Sequence, residues 1–406
     1  MGLDNIVIVG ASLAGLRAAE ELRTLGHAGR ITLVGDEPHR PYDRPPLSKQ
    51  VLAGMKPPES TALMVAGGSI DDLDLDWRLG ESATGLDLGA RSVLLAGGEQ
   101  LPYDGLVIAT GASPKRLPGT DHLDGVHTLR TLDDCAAIRS ALVASPGRVA
   151  VVGAGFIGAE VAATCRGLGI AVSMIEALPV PLERGLGPAM GAVVADLHRD
   201  HGVDVRLGVG VVLIEGGDRV EQIRLTDGTV LDVDLVVIGI GVGPNTDWLE
   251  GSGLTIDNGV LCDATCAAAP GVVAAGDVAR WPNHRFGEVM RVEHWDNAIA
   301  MGTHAARTLV AGPAAAEPYE PVPWFWSDQY DRKIQLAGRA GPDDTVAVVS
   351  GSTDDRRFVA FYGRAGRLVG VLGMSQPAKV MRWRSLVEQA TTWDAALAAA
   401  AQEAEA

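Results

Sequence analysis

Two glycine-spaced runs carry the clearest chemistry in this 406-residue chain: Gly10-Ala-Ser12-Leu-Ala14-Gly15 and Gly153-Ala-Gly155-Phe-Ile157-Gly158. A glycine opening such a run permits a tight turn, and a glycine closing it lets the next helix pack closely. The N-terminus of that helix then offers backbone N–H groups and the positive end of its dipole to a pyrophosphate. The first run replaces its middle glycine with Ser12, and the second keeps all three. Acids follow each run at the distance where adenosine ribose hydroxyls need an acceptor, Asp36 and Glu37 after the first and Glu176 after the second. A carboxylate at Glu176 suits two free hydroxyls and repels a 2′-phosphate, so NADH is expected over NADPH. No arginine stands in Ala177-Leu-Pro directly after it, although Arg184 keeps NADPH open.

The elements that must position these loops are legible around them. Strand Ile6–Val9, a helical pattern over Leu16–Leu25 and strand Ile31–Val34 make one βαβ unit. Val149–Val152, Ala159–Leu168 and Ala171–Ile175 make a second. Two such units imply two dinucleotides, and FAD with a nicotinamide dinucleotide is the pairing that uses both, one partner giving hydride and the other taking it. Three later strand ends repeat the glycine signal: Leu106-Val-Ile-Ala109-Thr110-Gly111, Leu235-Val-Val-Ile-Gly239-Ile-Gly241 and Gly271-Val-Val-Ala-Ala-Gly276-Asp277. The contacts expected from the loops are Gly10, Ser12, Gly15, Ala109, Thr110 and Gly111 for the first nucleotide. Gly153, Gly155, Ile157 and Gly158 are expected for the second.

Bulk composition agrees with an α/β protein of two or three domains. Hydrophobic residues make up 47% and charged residues 21%, with 51 glycines available for turns after buried strands. The 34 Lys and Arg against 51 Asp and Glu leave a formal charge of -17, which argues against nucleic acid as the main partner. Cys135, Cys165, Cys262 and Cys266 are scattered, and the one close pair has CxxxC spacing, so reduced thiols and no metal are expected. No apolar run reaches the roughly 18 residues that span a bilayer. No basic and apolar leader precedes Ile6, so a cytoplasmic protein, neither secreted nor membrane-bound, is expected.

The whole chain resembles the two-dinucleotide-fold flavoprotein reductases of the glutathione reductase structural class. Three segments narrow the resemblance: Arg40-Pro-Tyr-Asp-Arg44-Pro-Pro-Leu-Ser-Lys49, Arg291-Val-Glu293-His-Trp295-Asp-Asn297 and Pro323-Trp-Phe-Trp326-Ser-Asp-Gln-Tyr. Together they are similar to the oxygenase-coupled NADH-dependent ferredoxin reductases, the group of putidaredoxin reductase and biphenyl dioxygenase ferredoxin reductase. That resemblance implies two Rossmann-like domains, for FAD and NAD, plus a C-terminal α+β domain. It puts Ala14, Asp36, Arg44, Lys49, Ala83, Arg130, Asp277 and Trp295 against FAD. Glu160, Glu176, Glu293 and the residues around Gly241 fall near the nicotinamide nucleotide. Asp277 also reads as a helix N-cap before Val278.

The resemblance further implies electron transfer from NADH through FAD to a [2Fe-2S] ferredoxin that serves a cytochrome P450 or a Rieske-type oxygenase. Lys49 is then a candidate for the flavin N5 side, paired with Glu160, each making burial of the other more credible. Glu293 is a candidate to orient the carboxamide. The Trp324-Phe-Trp326 cluster is a candidate cover for the flavin edge from which electrons leave, Trp326 nearest the acceptor, with core packing as the competing explanation. Arg285, Arg291, Arg332, Lys333, Arg339, Arg382 and Arg384 form a candidate docking patch or are scattered solvated charges. The expected division is 1–110 with 245–320 for FAD, 111–244 for NAD and 321–406 for the C-terminal domain, as a monomer or weak dimer. The C-terminal strands are placed at Arg357–Tyr362 and Leu368–Leu372, with an alanine-rich helical tail over Ala395–Ala406. Disulfide and persulfide reductases of the same class carry a redox cysteine early in the FAD domain, whereas no cysteine here precedes Cys135. A rubredoxin reductase and a redox-sensing flavoprotein resembling apoptosis-inducing factors remain as alternatives.

Overall fold

The computed structural model describes residues 3–405, and the chain divides into two compact units. The first is built from Met1–Asp43, Thr61–Ser113 and Gly243–Pro323, the second from Arg44–Ser60, Pro114–Val242 and Trp324–Ala406. Ala406, the last residue of the anticipated tail, lies outside the described residues, and the helix itself runs Trp393–Glu405.

The core of the first unit is a six-stranded sheet in the order 267–269, 272–274, 105–108, 5–9, 30–35, 76–79. Its middle strands pair in parallel, Ile6 with Ile31 and with Gly105. A parallel strand covered on both faces must be apolar throughout, and Ile6, Val7, Ile8 and Val9 are all buried. Helix Leu13–Thr24 follows the first strand. Helix Trp295–Ala311 lies against it so closely that a Cβ on Gly302 would run into the backbone oxygen of Ala14. The first helix starts three residues before its apolar pattern shows, because the last residues of the glycine run are already its first turn.

In the second unit five parallel strands run in the order 204–207, 171–176, 148–152, 235–238, 126–128. The C-terminal segment adds a five-stranded antiparallel sheet, ordered 324–329, 332–338, 367–374, 357–364, 345–352. Helix Phe156–Gly167 follows strand Arg148–Val152, and its Phe156 meets Phe325 of the antiparallel sheet edge to face, centroids 4.5 Å apart. Helix Glu183–Asp200 packs Leu186, Met190 and Leu197 into the cluster that holds Phe325, Phe358 and Tyr362. Among the described residues no helix is long and apolar enough to cross a membrane.

Residues 44–60 belong to the second unit although the chain on both sides of them belongs to the first. Four side chains explain this: Cys135 Sγ donates to the Leu47 carbonyl at 3.2 Å, Thr164 Oγ1 to that of Ser48 at 2.7 Å, and Arg44 Nη1 to that of Arg130 at 2.7 Å. Arg139 Nη1 donates to the carbonyls of Leu52 at 3.2 Å and Val51 at 3.5 Å. Losing charged hydrogen bonds of this kind costs about 1.5–3 kcal/mol. The substitution Arg139→Met is therefore expected to speed amide exchange across residues 51–56 by about tenfold or more, measured by hydrogen-exchange mass spectrometry, with residues 148–176 unchanged.

Candidate active site

The first glycine loop has the shape of an anion cradle. Gly10 sits at φ +124°, and a Cβ there would collide with the carbonyl oxygen of Ala109; one on Gly15 would collide with that of Gly10. Ser12 caps the helix in extended conformation without a side-chain hydrogen bond, and no acid lies in the first turn. The N–H groups of that turn are thus left for a ligand, as a pyrophosphate requires. Gly276, at φ +74°, would place a Cβ 3.1 Å from the Cβ of Ala14, so the turn carrying Asp277 abuts the cradle. Ala275, not Asp277, is the cap of that short helix, and the Asp277 carbonyl accepts from Arg291 Nη1 at 3.0 Å.

The remaining expected FAD residues of this unit lie around the same sheet. Asp36 is exposed, Glu37 accepts from the Tyr42 hydroxyl, and Ala83 is half-buried. Ala109 donates its N–H to the Val9 carbonyl at 2.7 Å. Thr110 donates Oγ1–H to the Asn245 carbonyl at 2.8 Å and accepts from Asn245 Nδ2 at 2.8 Å, while the Gly111 carbonyl accepts from the Asn245 N–H at 3.0 Å. Trp295 Nε1 donates to Asp43 Oδ1 at 2.6 Å. Glu293 is exposed and pairs with Arg291 at 2.7 Å.

The second loop repeats the geometry. Gly153, at φ +96°, has no room for a Cβ against the Gly239 carbonyl oxygen, nor has Gly158 against that of Gly153. Gly155 caps helix Phe156–Gly167, again with no acid in its first turn. Glu176 ends its strand with Oε2 accepting from the Ala154 N–H at 2.7 Å and Oε1 from the Leu178 N–H at 2.9 Å, which fixes its carboxylate beside the loop. Ile157 and Arg184 are exposed, and Gly241, at φ +103°, accepts from the Lys115 N–H at 2.9 Å.

Glu160, the fifth residue of that helix, is buried and meets Lys49 Nζ at 2.6 Å through Oε2. Ser48 Oγ donates to the same oxygen at 2.5 Å, and Ser327 Oγ to Oε1 at 2.8 Å. Taking a carboxylate and an ammonium out of water costs several kcal/mol each, which this geometry offsets by satisfying both oxygens. Of the residues expected against FAD, Arg44, Lys49 and Arg130 thus belong to the second unit, with Glu160. Ala14, Asp36, Ala83, Asp277 and Trp295 belong to the first, as does Glu293, while Trp326 belongs to the second.

The aromatic trio does not act as one cluster. Strand alternation sends Phe325 into the core against Phe156, while Trp324 and Trp326 stack on the opposite face, centroids 5.2 Å apart at 29°. Trp324 Nε1 and Gln335 Oε1 are buried there without a hydrogen-bond partner among the described residues. The basic residues proposed for docking are offset: Arg332 pairs with Asp331, Lys333 with Asp328, Arg382 with Glu403 and Arg384 with Glu388. Arg285 is exposed, and its Nε donates to the Glu320 carbonyl at 3.2 Å. Arg339 is half-buried.

Sequence reasoning passed over Ser48, Asp43, Ser327, Gln329 and His198. The alternation Phe325, Ser327, Gln329 on one strand face was the available signal for two of these; nothing local distinguishes His198. All four cysteines are free and buried, and burial pushes the thiols up, Cys135 to about 11 and Cys165 and Cys262 to about 12. Among the described residues no group of His, Cys, Asp and Glu is placed to hold a metal.

The model of the pyridine nucleotide-disulphide oxidoreductases matches residues 4–302, and that of the reductase C-terminal domain matches 324–404. The chain belongs to the pyridine nucleotide-disulphide oxidoreductase family, among its ferredoxin reductases. Rhodocoxin reductase of Rhodococcus erythropolis is 38% identical to this family member, over 94% of this chain and 89% of the relative. Putidaredoxin reductase CamA of Pseudomonas putida is 34% identical over 95% and 92%. Among solved structures, the covalent putidaredoxin reductase–putidaredoxin complex matches with a TM-score of 0.90 at 33% identity, over 95% of this chain and 93% of the other. An NAD-dependent persulfide reductase from A. fulgidus matches at 0.86 with 22% identity over 96% and 78%, a likeness of fold. FAD and NAD(H) are the family's cofactors, and both loops have the open N–H groups and steric clearance these demand. Because the two cradles lie in separate units, Gly15→Val is expected to lower FAD content severalfold while Gly158→Val leaves the protein yellow but weakens NADH binding more than tenfold. Absorbance and fluorescence titration check the pair.

Proposed function

We propose that this protein is an FAD-dependent NADH:ferredoxin oxidoreductase that delivers electrons to a [2Fe-2S] ferredoxin serving a cytochrome P450 or Rieske-type oxygenase. The observation that carries it is the joining of two nucleotide cradles to thiols unsuited to redox work. A disulfide reductase needs a reactive thiolate, and the four cysteines here are buried, with burial raising every thiol, Cys135 to about 11 and Cys165 and Cys262 to about 12. Full-length likeness to a reductase solved with its ferredoxin supports the acceptor class.

Bound FAD supplies the chemistry that takes a hydride from NADH and passes electrons on one at a time. The chain's own residues orient and bind. Ser12, Ala14 and Gly15 hold the FAD pyrophosphate, Asp36 and Glu37 its adenosine end, and Arg44, Ala83, Thr110, Arg130, Asp277 and Trp295 the rest. Gly153, Gly155, Ile157 and Gly158 hold the NADH pyrophosphate, with Gly241 and Glu293 toward the nicotinamide. Lys49, paired with Glu160, serves the flavin side, and Trp326 the side from which electrons leave. The FAD-binding part comprises 1–110 and 245–320, the NAD-binding part 111–244 and the C-terminal part 321–406. The protein acts in the cytoplasm.

Glu176 is the residue that sets NADH over NADPH. Removing its charge with Glu176→Gln is expected to narrow the NADH:NADPH ratio of kcat/KM by about tenfold, read by steady-state assay with either nucleotide. The decisive test mixes the yellow protein with NADH in a stopped-flow instrument and then assays cytochrome c reduction with and without a [2Fe-2S] ferredoxin. Rapid bleaching of the flavin and ferredoxin-dependent cytochrome c reduction are expected. Reoxidation only by oxygen, a disulfide or a rubredoxin would refute the proposed acceptor.

A further inference from the structure

The carboxylate of Glu160 is the inner end of a longer buried chain in the second unit. Ser327 Oγ lies 2.8 Å from Glu160 Oε1, and Gln329 Nε2 lies 3.1 Å from Ser327 Oγ. Gln329 Oε1 is 3.1 Å from His198 Nε2, and His198 Nδ1 is 2.8 Å from the Tyr330 hydroxyl. Ser327, Gln329 and His198 are all buried. The outer end reaches His201, whose ring stacks on Tyr330 at 3.7 Å and whose Nε2 is 3.9 Å from Asp331.

The charge at one end dictates the direction of every link. A carboxylate paired with Lys49 only accepts, so the Ser327 hydrogen points to Glu160. Ser327 then has only lone pairs left, so the Gln329 atom facing it must be the NH2 group, and its oxygen must face His198. His198 therefore carries its proton on Nε2, and its bare Nδ1 accepts from Tyr330. Burial lowers the His198 pKa to about 4 and raises that of Tyr330, so the imidazole is neutral and the phenol keeps its hydrogen. All four dipoles point their positive ends at one carboxylate.

We propose that Ser327, Gln329, His198 and Tyr330 are positioning residues for hydride transfer, a one-way chain of donors that fixes the Glu160 carboxylate and, through it, the charged Lys49. The inference rests on the reading that Lys49 and Glu160 serve the reaction site. It assigns to His198 on helix Glu183–Asp200, and to Ser327 and Gln329 on the strand Trp324–Gln329, a part in flavin reduction that these side chains play without touching a nucleotide.

Gln329→Glu is the sharpest probe, because it keeps size and shape but turns the donor facing Ser327 into an acceptor. Ser327 has a single hydrogen, so a carboxylate at position 329 competes with Glu160 for it and one of the two links is left oxygen against oxygen, while His198 and Tyr330 keep their direction. Gln329→Met merely cuts it, Ser327→Ala removes its last link, and Tyr330→Phe trims its outer end with packing kept. The measurement is single-turnover flavin reduction by NADH in the FAD-loaded protein, giving a limiting rate constant and a dissociation constant, with FAD content and near-UV circular dichroism checking the fold. Expected are a limiting rate constant about tenfold lower for Ser327→Ala, lower still for Gln329→Glu than for Gln329→Met, and two- to threefold lower for Tyr330→Phe, each with the NADH dissociation constant within twofold of the parent. Equal rates for Gln329→Glu and Gln329→Met, or a change confined to NADH affinity, would overturn the inference. The double variant Lys49→Met/Glu160→Gln separates the two levels. If it slows reduction while the chain variants do not, the chain alone is refuted; if it too leaves reduction unchanged, the reading of the ion pair falls and takes the chain with it.

Discussion

A carboxylate inside a protein must find donors to replace the water it has lost, and the second unit supplies three of them to Glu160. Lys49 and its neighbour Ser48 from one stretch of chain, and Ser327 from another, meet one side chain on one helix. Replacing either member of such a pair alone leaves an uncompensated buried charge, a loss of about 3–5 kcal/mol. Segment 44–60 is held in place by Cys135, Thr164 and Arg139 as well. The ion pair is thus the polar centre of a tightly fastened joint, and the hydrogen-bond network behind it settles which way each dipole can point.

The two glycine loops answer a different constraint, the closeness of backbone to backbone. Gly10 and Gly15 in one unit, and Gly153 and Gly158 in the other, all face carbonyl oxygens at distances no Cβ tolerates. Where the requirement is lifted the residue is free to change. The middle position is serine in the first loop and glycine in the second, and a Cβ at Gly155 would find its nearest neighbour at 3.7 Å. The same contrast separates Glu37, tied to Tyr42, from Glu176, held by two backbone N–H groups of its own loop.

Much of this was legible in the sequence because it is local. Apolar strand, glycine loop, helix and acid occur within about thirty residues, the span of one βαβ unit, and both copies fold as their spacing predicts. The proline-rich stretch ending at Lys49 could be linked to Glu160 by resemblance, since over a hundred residues separate them. What stayed hidden depends on register and on distant chain. Phe325 lies between two tryptophans in sequence but turns to the other face, because a strand alternates and a run of three aromatics must divide. His198 reads as an ordinary helical residue until Tyr330 and Gln329, more than 130 positions later, close around it. The C-terminal strands at 324–329 and 332–338 are obscured because their buried positions include Ser327, Gln329 and Gln335 in place of an unbroken apolar alternation, and the strand at 345–352 because none of its residues is fully buried.

The path of the chain between the two units has a consequence for biosynthesis. The backbone passes from one unit to the other at 43/44, 60/61, 113/114, 242/243 and 323/324. The strand at 272–274, which continues the first unit's sheet beside 105–108, leaves the ribosome long after the strands it joins. For most of translation, then, the earliest-made sheet lacks strand partners and its covering helix at Trp295–Ala311, so its apolar edge stands open. A nascent chain of this kind needs shielding until more than three-quarters of it has been made. A nick at any single passage would still leave the two units joined covalently at the other four.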